Sequence, residues 1–252
     1  MTLTPMTFLI VCPLIFLAGF VDSIAGGGGI VSLPAYLLAG LPMHLAIGTN
    51  KFSSSIGTIV STTRYLKNGC VVKFLILPTV IAALIGSGIG SQLSLRTDEQ
   101  VLKYILMFVL PMVALLVLFK KELPETTDIN ISKKKQIVIA VFFAFLIGGY
   151  DGYYGPGTGT FMVLALTQFA KLDIKSASGN TKCINLTSNL TALVTFLING
   201  TVLIPLGMAA VVCSVLGNYL GSGLAIHNGS RIIRPVILIV IALLFLKIVT
   251  GN

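Results

Sequence analysis

Apolar residues fill this chain in long stretches, and the polar residues that interrupt them return at matching places. A short apolar run over 8–21 gives way to an Asp- and Gly-rich stretch, and a second short run follows over 30–41. Three longer segments come next, at about 42–66, 71–93 and 101–119. After a polar stretch the pattern restarts. Short runs at 136–150 and 159–170 flank a second Asp/Gly stretch, and longer segments follow at about 174–197, 201–225 and 232–249. Segments such as YILMFVLPMVALLVLF lack the alternation of a membrane β-strand, so the pattern predicts helices. The expected organisation is a first transmembrane repeat over 1–119, a linker loop over 120–135 and a second repeat over 136–252.

The two halves match residue by residue. LAGFVDSIAGGGG (17–29) aligns with LIGGYDGYYGPGT (146–158), which places Asp22 on Asp151, Gly26 on Gly155 and Gly28 on Gly157. Further on the offset settles at 131, as 177 minus 46. It then holds for AIGTNK (46–51) with ASGNTK (177–182), YLKNG (65–69) with FLING (196–200), and GSGIGSQL (86–93) with GNYLGSGL (217–224). A constant offset through separate motifs marks a duplicated unit. The GxxxG spacings Gly86/Gly90 and Gly217/Gly221 suit close helix packing.

No short run exceeds 15 residues, at most ~22 Å of helix against a ~30 Å hydrocarbon core. Each short pair is therefore a re-entrant hairpin or two thin, tilted spans, and either returns the chain to its starting side. Three further crossings make an odd total, so the repeats are expected to be inverted. The 17 cations test this. Inversion places twelve on one side: Arg64, Lys67, Lys73, Lys120, Lys121, Lys133–Lys135, Lys171, Lys175, Arg231 and Arg234. Arg96, Lys103 and Lys247 fall on the other, and Lys51 and Lys182 lie inside. A parallel arrangement splits the cations nine to eight. The bias favours inversion, with the linker cytoplasmic and both termini outside.

Composition agrees with a lipid solvent. Of 252 residues, 55% are hydrophobic and 10% charged, with mean hydropathy +0.98; soluble domains carry about 25% charged residues. The fold class expected is an all-α polytopic membrane protein. Basic cytoplasmic loops account for the net charge of +9 without a nucleic-acid partner. Cys12, Cys70, Cys183 and Cys213 show no CxxC or metal spacing and read as small hydrophobes. Residues 8–21 lack a basic n-region and an A-x-A site and are expected to be retained. GPGTG (155–159) lacks the strand and lysine of a nucleotide loop. No HExxH or nucleophile–base pair points to an enzyme, and no cofactor or metal is expected.

The polar residues inside the spans carry the candidate chemistry. Pro42 and Asp173 suit helix starts, which puts Lys51 and Lys182 roughly 13 Å deep, near the midplane. The glycine tips reach a similar depth. Gly26, Gly27, Gly28 and Gly29 in one half, and Gly155 and Gly157 in the other, permit tight turns and bring bare N–H groups close to a ligand. Asp22 and Asp151 precede the tips as coupling or structural carboxylates, able to carry a proton or to pair with Lys51 and Lys182. Thr49, Asn50, Lys51 and Ser54, with Thr158, Asn180, Thr181, Lys182 and Asn185, complete a candidate binding set. Two lysines, many hydroxyls and amides, and two helix N-termini suit a small, multiply oxygenated anion.

GFVDSIAGGGG…LP…GTNKFSSSIGT, followed by YDGYYGPGTGTF…SGNTKCINLTSN, resembles the TauE/SafE (TSUP) family of sulfite and organosulfonate transporters over nearly the whole chain. The resemblance implies a multi-pass carrier of the bacterial inner membrane for sulfite, thiosulfate, sulfonates or similar sulfur-containing anions. Protons are a candidate coupling ion. The alternatives are a membrane-embedded enzyme or assembly partner, and an anion channel.

Overall fold

The computed structural model describes residues 4–102, 104–105 and 131–228. Most of the expected segment 101–119, all of 232–249 and residues 120–130 of the 120–135 linker lie outside the described residues. Eight complete helices are described: α1 Pro5–Ala25, α2 Gly29–Leu38, α3 Met43–Lys67, α4 Lys73–Arg96, α5 Lys133–Tyr153, α6 Thr158–Gln168, α7 Ile174–Ile198 and α8 Ile204–Asn228. The described residues contain no strand, as expected of an all-α membrane protein.

Helix ends follow local chemistry. Asp173 caps α7, its carboxylate accepting the Ser176 N–H at 2.9 Å, and Pro42 stands just before α3. Helices α1 and α5 outrun the apolar stretches that announced them, each reaching 21 residues, about 31 Å at ~1.5 Å per residue. Asp22 and Asp151 end the apolar runs without ending the helices, because a carboxylate with partners leaves the backbone ladder intact. Glycine ends them: Gly26 (φ 74°) and Gly155 (φ 104°) sit in the left-handed region. The first member of each expected short pair is therefore long enough to span. Only the second is short, with 10 residues in α2 and 11 in α6.

Among the described residues, four helices combine length and apolarity enough to cross a membrane: α1 (over Pro5–Ile24), α4, α5 and α8. They carry large apolar side chains on the outer surface, such as Leu77 and Ile81 of α4, Phe142 of α5, and Val212 and Leu216 of α8. Such faces are stable in lipid rather than water. Helices α3 and α7 have 25 residues each but are polar. Both bury most of the polar side chains along their middle stretches, Lys51 and Lys182 included, among the other helices.

The contacts fix helix directions. Gly86 of α4 meets Phe145 of α5 while Gly90 meets Gly149 and Tyr153, so the two run parallel. Gly217 and Gly221 of α8 meet Phe16 and Phe20 of α1 in the same sense. A Cβ on Gly90 would lie 2.0 Å from the Gly149 oxygen, and one on Gly217 2.2 Å from that of Phe16. Both GxxxG spacings thus mark helix contacts, each between one half and the other. Helix α3 runs parallel to α8 (Gly48 at Thr201, Gly57 at Ser214), and α4 runs parallel to α7 (Ser87 to Ser188, Ser91 to Thr195). Helices α3 and α7 cross antiparallel, with Thr62 at Lys182 and Lys51 at Asn189. Because α1 and α3 run the same way, α3 begins on the side where α1 begins.

These directions sort the charge. The C-terminus of α3 and the N-termini of α4, α5 and α7 share one end, which holds Arg64, Lys67, Lys73, Lys133–Lys135, Lys171 and Lys175. Arg96 is the cation at the opposite end among the described residues.

Candidate functional site

Two helices carry an aspartate one turn before a left-handed glycine. On α1, Asp22 lies one turn before Gly26, whose N–H bonds back to the Asp22 carbonyl at 2.7 Å. The carboxylate also accepts the Gly28 N–H at 3.4 Å. On α5, Asp151 accepts the Thr158 hydroxyl at 3.1 Å and the Ser188 hydroxyl through its other oxygen. The two glycine stretches then meet. Thr160 N–H donates to the Gly26 carbonyl at 3.2 Å, and a Cβ on Gly26 would stand 2.3 Å from the Gly159 carbonyl carbon. Only glycine permits this backbone approach.

The lysines pair with aspartates, and the pairs cross between the halves. Lys51 Nζ lies 2.8 Å from Asp151 Oδ1 and 2.8 Å from Asn189 Oδ1. Lys182 Nζ lies 2.8 Å from Asp22 Oδ2 and also donates to the Asp22 carbonyl. The four side-chain charges sum to zero. The pairs differ in access: Asp151 is 5% exposed and Asp22 21%. Taking charges from water costs several kcal/mol each, and the hydroxyl, amide and carbonyl partners offset that cost.

Beside the tips lies a polar cavity of about 30 Å³. Of the sequence-predicted residues, Asp22, Gly26, Gly28, Gly29, Asn50, Lys51, Ser54, Asp151, Gly155, Thr158 and Asn185 line it. The others stand back from its wall. Thr49 accepts the Leu203 N–H at 3.0 Å, Asn180 donates to the Ser176 carbonyl at 2.8 Å, and Lys182 is held by Asp22. Thr181 is buried in α7, Gly157 stands before α6, and the Gly27 carbonyl accepts the Ile30 N–H. The cavity is thus lopsided, reaching one lysine of the two.

Comparison with known proteins assigns the family. A family model described as "Sulfite exporter TauE/SafE" matches residues 11–248. The chain belongs to the TauE/SafE family. A probable membrane transporter protein, ORF9, of Sinorhizobium is 37% identical over 226 residues, covering 89% of this chain and 85% of its own. One from Haemophilus influenzae is 32% identical, covering 93% and 91%. The probable membrane transporter protein YfcA of Escherichia coli K12 is 32% identical, covering 92% and 86%. No solved structure matches the chain at a comparable level of significance. This TauE/SafE chain is accordingly a multi-pass membrane transporter.

Several wall residues of this TauE/SafE protein escaped the sequence reading: Ser32 of α2, Thr58 of α3, Asn189 of α7, and Ser214 and Asn218 of α8. A signal was present on α8. Ser214, Asn218 and Ser222 recur every four residues along an otherwise apolar helix, forming one polar stripe beside the GxxxG glycines.

Proposed function

We propose that this chain is a secondary transporter moving a small oxyanion across the cytoplasmic membrane by alternating access. The substrate class is sulfite, thiosulfate, a sulfonate or a similar sulfur-containing anion. The observation that carries the reading is the polar cavity against two touching glycine tips, one from each half, with a crossed Lys–Asp pair in its wall. A carrier needs its site where two bodies meet, so that rocking exposes it to either side in turn. The antiparallel crossing of α3 and α7, which occupy equivalent places in the two halves, supports inverted-topology repeats. The cation-rich end supports a cytoplasmic 120–135 loop in a bacterial inner membrane. Asp22, the more exposed carboxylate, is the candidate carrier of a coupling proton. The binding roles of the glycine tips, Asn50, Lys51, Ser54, Thr158 and Asn185 belong to the same proposal.

Proteoliposomes loaded with sulfite provide the test. Saturable counterflow of labelled sulfite, inhibited by thiosulfate or a sulfonate, is expected. Flux that never saturates would favour a channel, and no flux of any of these anions would overturn the substrate class.

A further inference from the structure

We propose that the cavity takes its anion as a monovalent, singly protonated oxyacid, with the ligand's O–H on Asn218 and its bare oxygens on Ser32, Thr58 and Lys51. This rests on the oxyanion reading of the same site and specifies the protonation state it selects. The first ground is charge. Asp22, Asp151, Lys51 and Lys182 already cancel one another through two ion pairs. A dianion would bring two uncompensated charges into a buried site, a monoanion only one.

The second ground is a set of polar atoms without partners. Asn218 is 1% exposed, and its amide nitrogen donates to the Ser214 carbonyl at 3.0 Å. A carbonyl only accepts, so the NH₂ must face it and Oδ1 must face away. That oxygen has no hydrogen-bond partner among the described residues. As a pure acceptor it calls for a donor, which a fully ionised oxyanion cannot offer. Ser32 and Thr58 are 3% and 1% exposed, and their hydroxyls likewise lack partners among the described residues. All three residues line the same cavity, from three different helices. Lys51 uses two of its three N–H groups on Asp151 and Asn189, which leaves one for a ligand oxygen.

The third ground is the contrast with the other half. At the offset of 131, Thr58 corresponds to Asn189 and Asn218 to Ser87. Both counterparts are satisfied: Asn189 holds Lys51 at 2.8 Å, and Ser87 donates to the Ser188 carbonyl at 2.6 Å. The same two places are thus structural in one half and left open in the other. The volume of about 30 Å³ holds about two waters, so a three-oxygen ion must part the helices slightly as it binds.

The test is calorimetric binding of sulfite to the purified full chain, below and above the second ionisation of sulfite. Methanesulfonate, which has three oxygens and no O–H, serves as comparison. Affinity for total sulfite should fall about tenfold per pH unit above that ionisation, following the protonated monoanion. Below it, sulfite should bind at least about tenfold more tightly than methanesulfonate. Asn218→Leu should narrow that preference, and Thr58→Val should weaken both anions. Thr58→Val should fold, since it removes an unpaired buried hydroxyl, so the pH series and this variant decide the matter even if Asn218→Leu fails to fold. Affinity that rises with pH, or methanesulfonate bound as tightly as sulfite, would overturn the proposal while leaving the oxyanion reading intact. So would parent affinities in Thr58→Val, the orphaned groups then serving buried water alone. Absence of binding by either anion at every pH would overturn both.

Discussion

Lys51→Met removes one charge of the Lys51–Asp151 pair while keeping most of the side-chain volume. Lys51 is 1% exposed and Asp151 5%, so the remaining carboxylate cannot recover its hydration. Breaking a buried pair in this way costs ~3–5 kcal/mol. At ~2–4 °C per kcal/mol for a chain of this size, the midpoint of thermal unfolding in detergent should fall by roughly 6–20 °C. Asp151→Asn, added to Lys51→Met, removes the orphaned charge, keeps one acceptor oxygen for Thr158 or Ser188 and offers the other hydroxyl an amide N–H to accept, so most of the loss should return. Asp22→Asn added to Lys51→Met should instead lower stability further, because Asp151 and Lys182 are then both unpaired. The mirror set follows for Lys182→Met, which Asp22→Asn should rescue and Asp151→Asn should not. Its losses should be smaller, since Asp22 is 21% exposed and solvent screens it. Fluorescence-detected size exclusion after heating reads all seven proteins, the parent included. Equal rescue by both aspartate variants, or rescue within a half rather than across, would refute the crossed pairing.

Asp22→Asn should abolish uphill sulfite uptake in proteoliposomes while sparing sulfite exchange; loss of both in a folded protein would assign Asp22 to structure alone. Cys70, half-buried at the cation-rich end, should react with an impermeant maleimide only from the cytoplasmic side, and an Asp98→Cys variant only from the other. Burial raises the Cys70 thiol, with Lys175 opposing, so its labelling should be slow near neutrality and quicken as pH rises; labelling of both positions from one side would exclude the proposed orientation. Gly90→Ala should destabilise by ~1–3 kcal/mol, because its Cβ would meet the Gly149 oxygen. At Gly88 the nearest such contact is 3.8 Å away, so Gly88→Ala should be neutral or gain up to ~1 kcal/mol of helix propensity; equal losses at both would contradict the packing described for α4 and α5.

Charges inside apolar runs announce themselves, which is why Asp22, Lys51, Asp151 and Lys182 could be read from the sequence. The glycine tips were legible for the same reason, since glycine costs a helix too much to recur without a use. Partner choice was not legible. A repeat offset says that Lys51 and Lys182 are equivalent, yet it is silent on whether each finds an aspartate in its own half. The lengths of α1 and α5 were understated because hydropathy stops at a carboxylate, while a helix stops where the backbone turns left-handed. The Asn218 stripe was obscured by its neighbours: Gly217 and Gly221 explained the segment well enough as a packing face. Thr49 was chosen for its nearness to Lys51, but residues two apart on a helix point about two hundred degrees apart; Asn180 and Thr181 were chosen for their nearness to Lys182, which itself stands back from the cavity.

The crossed pairs also bear on how the chain is made. Synthesis delivers Asp22 and Lys51 to the membrane first, while Asp151 and Lys182 do not yet exist. The early half must shelter both charges alone, by pairing them with each other or by leaving its segments incompletely inserted. Arrival of the second half then offers each a new counterion, and the exchange draws the two pieces together. The crossed pairs therefore cannot close until the second half has been made. Neither half alone holds the counterion that its own aspartate and lysine use in the finished protein.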